Sequence, residues 1–373
     1  MVIDTSEKQP QPYWSRGRVL LAGVIVIAGL GPIIAAAAYT WHASGRPDPR
    51  QAEGAGFTRA GQKRNAGPLS QFNTENLLIS VKHILSGGPR KDGIPAPDEP
   101  ETVPVSQADF MAPADRVIGI TINGASRAYP INILNWHECV NDVVGGVPVA
   151  VIYCPLCDSV SVVDRRLNGR TYEFGISGLL LNSNVLLYDR TDDALWSQVG
   201  VMTISGPHAG KALHHLGDWR VTRFEPWGRD HPDSTIVTTD TGYFRDYGRN
   251  SYEAYQNGDK LMFPLVSRDD RLPDKTPIVG IKLGKMTRAY PVSRVIDSPD
   301  GRLLDTIGGG TVELVAEGGR DSVRVAAAPD DAKVVYTFWF AWAAFHTDTQ
   351  VYMPPAGTTD RAAAASPAAD RAR

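Results

Sequence analysis

The stretch VIGITINGASRAYPINIL, Val117 to Leu134, decides the fold, because it returns as IVGIKLGKMTRAYPVSRV from Ile278 to Val295. In the first copy Ile118, Ile120 and Ile122 alternate with other residues up to Asn123-Gly124. Alternation with a period of two that ends in Asn-Gly marks a strand entering a tight turn, so Val117 to Tyr129 is predicted to be a hairpin. Gly119 faces Gly280 at an offset of 161 residues, and Asp142, Gly145 and Gly146 face Asp305, Gly308 and Gly309 after a slip of two. Each copy closes on a W-x-x-x-H-x-D-[ST] element, Trp227/His231/Asp233/Ser234 and Trp342/His346/Asp348/Thr349. Gly119 and Trp227 are 108 positions apart against 62 for Gly280 and Trp342, so the first copy carries about 46 more residues, which the stretch beginning at Cys154 roughly accounts for. The predicted fold class is mainly β with short helices (α+β): two tandem related modules at about 110–240 and 270–355, the first bearing an insertion, after an N-terminal transmembrane helix.

Working outward, Val147 to Tyr153 (VPVAVIY) reads as a buried strand, and Ser161 to Phe174 as a second hairpin around Asn168-Gly169. Pro130 suits the first position of a helix running through His137 toward Val140. Val19 to Trp41 is 23 residues without a charge, long enough to span a bilayer. Arg16, Arg18 and Lys8 flank it and keep residues 1–18 in the cytoplasm by the positive-inside rule. The chain is then a single-pass protein of the cytoplasmic (inner) membrane, anchored through residues 19–41, with its bulk periplasmic or at the cell surface. A cleaved signal peptide is the competing reading, since Ala36 and Ala38 offer an A-x-A-like site. Residues 42–68 have the polar, Gly/Pro-rich composition of a flexible linker, and 356–373 that of a disordered tail. The folded part is 69–355.

Composition narrows the function. The chain has 38 Lys plus Arg against 41 Asp plus Glu, so no basic field exists to hold a phosphate backbone, and nucleic acid is excluded as an expected partner. No G-x-S-x-G elbow, Walker loop, H-E-x-x-H or G-x-G-x-x-G occurs, which removes the usual support for hydrolase and nucleotide-enzyme readings. With three cysteines, neither a disulfide scaffold nor a four-cysteine zinc site can be built.

The chemistry concentrates on Cys154-Pro155-Leu156-Cys157, directly after the apolar strand. Two thiols at this spacing can chelate a soft metal ion, cycle between dithiol and disulfide, or close a structural disulfide. Upstream, Trp136-His137-Glu138-Cys139-Val140-Asn141-Asp142 offers an imidazole, two carboxylates and the third thiol. On a helix Cys139 lies about 200° round from His137, so His137 joins the cysteine pair as expected ligand and Cys139 is left as a small buried side chain. Glu138, Asn141 and Asp142 are candidates to orient the imidazole through hydrogen bonds. Asn141-Asp142 could equally initiate a turn. His231 and His346 occupy equivalent places in the two copies, and the second copy has no cysteine, so packing against the tryptophans is the simpler account of both. Arg127 and Arg288 are architectural by the same reasoning, and the doublet His214-His215 is expected to be solvent-exposed.

Several strings taken together resemble the DUF3179 family of bacterial and archaeal proteins: Ser86 to Ala96 (SGGPRKDGIPA), Arg127-Ala128-Tyr129-Pro130, Trp136-His137-Glu138, Asn141-Asp142, Tyr153 to Cys157, Phe174 to Gly178 (FGISG), Tyr188-Asp189-Arg190 and Leu195 to Gln198 (LWSQ). The resemblance spans about 80–352. It implies an exported protein and carries no settled activity. Two departures stand out: Asp158 occupies a position where the family usually has Gly, and Cys139 one where an aliphatic residue is commoner. The first puts a tight glycine-dependent turn in doubt, and the second supports leaving Cys139 out of the site.

The sequence therefore predicts a membrane-anchored extracytoplasmic protein whose His137/Cys154/Cys157 centre binds a thiophilic metal, copper ahead of zinc, for metal handling or electron transfer. A thiol-disulfide oxidoreductase using Cys154 and Cys157 is the alternative, and a non-catalytic binding scaffold with a structural disulfide the second. No protein partner or substrate is indicated.

Overall fold

The computed structural model describes residues 68–200, 202–216, 218–317 and 322–354. The expected cytoplasmic N-terminus, membrane anchor, all but the last residue of the linker, and the tail lie outside the described residues. Among the described residues no helix is long and apolar enough to cross a membrane.

After the short strands β1 (Ile84–Ser86) and β2 (Thr102–Pro104), the chain forms the hairpin β3 (Arg116–Ile122) and β4 (Ala125–Pro130). Asn123 and Gly124 at its tip both have positive φ, 49° and 81°, as the predicted Asn-Gly turn requires. Helix α1 (Ile131–His137) follows Pro130, and its end is a departure from expectation. Glu138 turns left-handed (φ 58°) and stops the helix, so Cys139 and Val140 lie on a strand, β5 (Cys139–Val144), rather than on the helix. β5 pairs with β6 (Val147–Cys154) through the turn Gly145-Gly146, and β6 pairs with β7 (Ser159–Asp164). The second predicted hairpin is shorter than expected. Asn168-Gly169 joins only β8 (Arg166–Leu167) to β9 (Arg170–Thr171), while Phe174 already belongs to β10 (Phe174–Leu181), which pairs with β11 (Asn184–Asp189). β12 (Leu195–Ser197) and β13 (Met202–Thr203) complete a five-stranded sheet in the order β1-β10-β11-β12-β13.

The first half then returns to its starting hairpin. β14 (Trp219–Arg223) pairs antiparallel with β3, α2 (Phe224–Asp230) crosses over, and β15 (Thr235–Val237) pairs parallel with β4. A second five-stranded sheet of order β14-β3-β4-β15-β2 results. After α3 (Glu253–Gln256) comes the hairpin β16 (Pro277–Leu283) and β17 (Met286–Pro291), then α4 (Val292–Ile296). β18 (Arg302–Ile307), β19 (Gly310–Ala316) and β20 (Val323–Ala327) form a three-stranded sheet. β21 (Lys333–Phe338) pairs antiparallel with β16, α5 (Trp339–Phe345) crosses over, and β22 (Gln350–Val351) pairs parallel with β17. Through the bridge Tyr336–Val160, β21 also joins β7, so one seven-stranded sheet runs β22-β17-β16-β21-β7-β6-β5 across both halves of the sequence.

Both crossover helices press a tryptophan onto a hairpin glycine. A Cβ at Gly119 would lie 2.1 Å from Trp227 Cζ3, and one at Gly280 would lie 2.3 Å from Trp342 Cε3. The indole nitrogens donate to Ser234 Oγ (3.0 Å) and Thr349 Oγ1 (2.8 Å), and each ring packs on its histidine at 4.0 Å between centroids. Arg127 and Tyr129 both donate to Asp142, and Arg288 and Tyr290 both donate to Asp305. Of the histidine doublet only His214 is exposed. His215 is buried, paired with Val163 through an isolated antiparallel bridge, and its Nδ1 lies 3.2 Å from the Val334 carbonyl oxygen.

Candidate functional site

Cys154 ends β6 and Cys157 closes the turn that leads into β7, with the Cys157 N–H donating to the Cys154 carbonyl (3.3 Å). The turn does not need glycine. Asp158 takes the left-handed position (φ 46°), and its Oδ1 accepts from Arg116 Nη1 (3.0 Å) and Tyr153 Oη (2.9 Å), which fixes that conformation. The loop is clamped from outside as well. Phe338 N and Thr337 Oγ1 donate to the Cys157 carbonyl (2.8 and 3.2 Å), and Gln256 Nε2 donates to the Pro155 carbonyl (3.0 Å). Both sulfurs are buried in a cluster that includes Leu156, Tyr255, Phe338 and Phe340, with Tyr252, Phe263 and Leu265 packed against it.

The two thiols have unequal surroundings. Cys157 Sγ lies 3.1 Å from Ser159 Oγ and 3.2 Å from Asn184 Nδ2, and Gln198 Oε1 accepts from both Ser159 Oγ and Asn184 Nδ2 (2.7 Å each). Burial alone would raise the Cys157 thiol, but hydrogen bonds from Cys154, Ser159 and Asn184 outweigh it and bring the thiol below its ordinary value. The Ser159 hydroxyl has one proton to place, on Gln198 when Cys157 is a thiol or on the sulfur when it is a thiolate. Cys154 is pushed well up, first by burial and then by its contact with Cys157. Glu138 is buried near Cys154, and burial, then the charge of Cys154, hold its carboxyl well above the usual carboxylate range.

The other expected residues are placed elsewhere. His137 is fully buried, with Nδ1 2.7 Å from the Pro95 carbonyl oxygen and Nε2 2.7 Å from Tyr247 Oη, which in turn contacts Thr241 Oγ1 at 2.6 Å. Tyr247 belongs to the core that holds Val140, Val149, Val151 and Tyr153, whereas the cysteines belong to the one that holds Ala150 and Ile152. Because side chains alternate along β6, these are opposite faces of the sheet. Both imidazole nitrogens thus have protein partners, and burial lowers the ring to about 4. Among the described residues no group of three His, Cys, Asp or Glu side chains could hold a metal ion. The expected His137/Cys154/Cys157 ligand set for copper or zinc is not assembled. Cys139 faces the cysteine cluster from β5 as a small buried side chain, pushed up to about 12 chiefly by burial.

Asn141 and Asp142 do not orient His137. Asn141 binds Asp98 Oδ1 and both backbone groups of Phe174, and Asp142 binds Arg127, Tyr129 and the Val143 N–H. Ser159 and Asn184 stand in no motif of the sequence, and Gln198 figures there only as the last residue of LWSQ. The available signal was a polar residue inside otherwise apolar strands, as in SVSVV after Asp158 and NVLLY from Asn184.

Residues 91–337 match the family model described as "Protein of unknown function (DUF3179)", and the chain belongs to that family. No curated protein and no solved structure matches it.

Proposed function

We propose that Cys154 and Cys157 form a reversible dithiol–disulfide couple, with Cys157 the reactive thiolate, in an extracytoplasmic domain anchored to the membrane by residues 19–41. The observation that supports this most is the cradle of Asn184 and Ser159 around one sulfur of the pair. Donors aimed at a sulfur stabilise its thiolate, which is the nucleophile in exchange. The repeated pairing of hairpin, crossover helix and parallel strand, with its Gly-Trp and Arg-Tyr-Asp contacts, supports two tandem related modules. The segment beginning at Cys154 then reads as the insertion that equips the first of them.

Complete burial of both sulfurs favours a second reading, a structural disulfide in a non-catalytic scaffold. Equilibration of the protein in graded mixtures of reduced and oxidised dithiothreitol, followed by alkylation and mass analysis, separates the two. A couple that exchanges at intermediate mixtures, joins Cys154 to Cys157 and spares Cys139 is the expected result. A disulfide that persists in the most reducing mixture favours the scaffold, and no disulfide in any mixture overturns both. Copper or zinc bound in equimolar amount after anaerobic purification, and lost on Cys154→Ser, would overturn the dithiol reading in favour of a metal centre.

A further inference from the structure

The two cysteines that the dithiol reading makes reactive are shut away, Cys154 at 1% and Cys157 at 0% exposure. A thiolate exchanges only with a disulfide that can touch it, so the couple needs a part of the protein that opens. Most of the surroundings are firmly held. β6 and β7 on either side of the cysteine loop are laddered to each other, as are β10 and β11, and the Phe338 N–H holds the Cys157 carbonyl. Residues 238–276, which join β15 to β16, are fastened differently. Their only helix or strand is the four-residue α3. From Asp240 to Met262 every backbone–backbone hydrogen bond among the described residues closes within the segment, and none reaches a sheet. The segment nevertheless lies across the cysteine loop. Gln256 Nε2 donates to the Pro155 carbonyl, between the two cysteines (3.0 Å), and to Tyr153 Oη (3.2 Å). Farther on, Ser183 Oγ donates to the Phe263 carbonyl (3.0 Å) and the Val266 N–H to Asn182 Oδ1 (2.9 Å). That second anchorage is the turn just before Asn184, the donor to Cys157 Sγ. Tyr255 belongs to the apolar cluster that contains both cysteines, and Leu261, Phe263 and Leu265 pack against that cluster.

We propose, resting on the dithiol reading, that residues 252–266 form a strap that gates Cys154 and Cys157, clamped shut by Lys275, and that the strap lifts as a unit to admit a disulfide partner while the sheets stay folded. Lys275 Nζ donates to the carbonyls of Tyr255, Gly258 and Lys260 and lies 3.7 Å from the centre of the Tyr255 ring. The clamp is itself anchored to the second half of the chain. On either side of Lys275, the Asp274 carbonyl accepts from the Phe340 N–H and the Thr276 carbonyl from the Trp339 N–H, 2.9 Å each. Lifting the strap breaks the Lys275 contacts and the three side-chain tethers at Gln256, Ser183 and Asn182, and uncovers a few apolar side chains. It breaks no ladder bond, which is why it opens at lower cost than the sheets unfold.

The test compares two rates on the reduced full chain without denaturant: alkylation of Cys157 by iodoacetamide, located by peptide mapping, and amide hydrogen exchange read by mass analysis. In the wild type, which needs no variant to fold, the protection of Cys157 relative to the urea-unfolded chain should match that of the amides of residues 252–266. It should fall well short of the protection of the β6 and β7 amides. Lys275→Met should speed both alkylation and strap exchange on the order of tenfold and leave β6 and β7 exchange unchanged. Alkylation of Cys157 no faster than the β6 and β7 amides allow, or an unchanged alkylation rate in Lys275→Met, overturns the strap. Because alkylation needs no disulfide to form, the dithiol reading fails separately: a strap that opens over a pair that never oxidises in the dithiothreitol mixtures overturns that reading alone.

Discussion

Asn184 Nδ2 serves three acceptors at once: Cys157 Sγ, Ser159 Oγ and Gln198 Oε1. A hydrogen bond to a charged group contributes about 1.5–3 kcal/mol, so removing the donor should cut the thiolate fraction of Cys157 at a fixed pH by on the order of tenfold. Alkylation of Cys157 by iodoacetamide, located by peptide mapping, should be slower by that factor in Asn184→Ala, and an unchanged rate would count against the cradle. The buried histidines make a separate claim about acid. Burial lowers His215 to about 3, and His137 and His346 to about 4, from an ordinary value of 6.5. Below 6.5 the unfolded chain takes up protons that the folded chain refuses, so their stabilising effect is complete above 6.5 and is lost as pH falls toward 4. Each contributes a slope of about 1.4 kcal/mol per pH unit in that window. Urea unfolding of wild type and His215→Asn at several pH values should show the variant's stability falling less steeply between 6.5 and 4. Parallel curves would mean that His215 titrates normally.

The elements are held by two kinds of contact that sequence spacing only hinted at. A glycine in each hairpin admits the face of a tryptophan from the crossover helix, at a distance no Cβ could share. Gly119→Ala and Gly280→Ala should therefore each destabilise by about 1–3 kcal/mol, since the indole or the strand must shift. Gly228→Ala is the control. Its Cβ would meet only Val105 Cγ2 at an ordinary 3.7 Å, within α2, where alanine is the better helix former, so its unfolding midpoint should hold or rise. Equal losses at all three glycines would show that the tryptophan contact does not matter. Arg127 and Tyr129 on the adjacent strand β4 account for Asp142, which closes an ion pair of 2.7 Å in which its own side chain is 3% exposed. A carboxylate so placed ties the hairpin to β5 and leaves no oxygen to steer His137.

At the scale of the whole molecule the proposed topology is open to a direct measurement. A reporter active only outside the cytoplasm, fused after Arg373, should be active, and one active only inside should be silent; the reverse pattern would refute the anchor. Much of the described architecture was legible because it is local. Ile118, Ile120 and Ile122 with Asn123-Gly124 dictate a hairpin whatever surrounds them, and the offset from Gly119 to Gly280 exposes two stretches of like composition. The DUF3179 resemblance was legible for the same reason, as strings of adjacent residues. The cysteine pair could be read as the chemical centre, but its partners could not. The local sequence predicts a helix through Glu138, whereas its left-handed turn ends α1 and puts Cys139 on a strand. With the strand came the alternation that puts His137 and the cysteines into different cores, a consequence of β-pleating that helical geometry does not predict. Asn184 and Gln198 reach Cys157 across 27 and, through Ser159, 41 positions of sequence, and the Cys157 carbonyl is clamped by Phe338 and Thr337 from the other half of the chain. By itself the sequence determined the first Asn-Gly hairpin, the apolar strand before Cys154 and the spacing of the cysteine pair, because backbone preference and side-chain type act over a few residues. Which groups surround each sulfur was decided only by the tertiary structure, because the pairing of β21 with β7 brings distant segments together and burial sets how strongly each holds a proton.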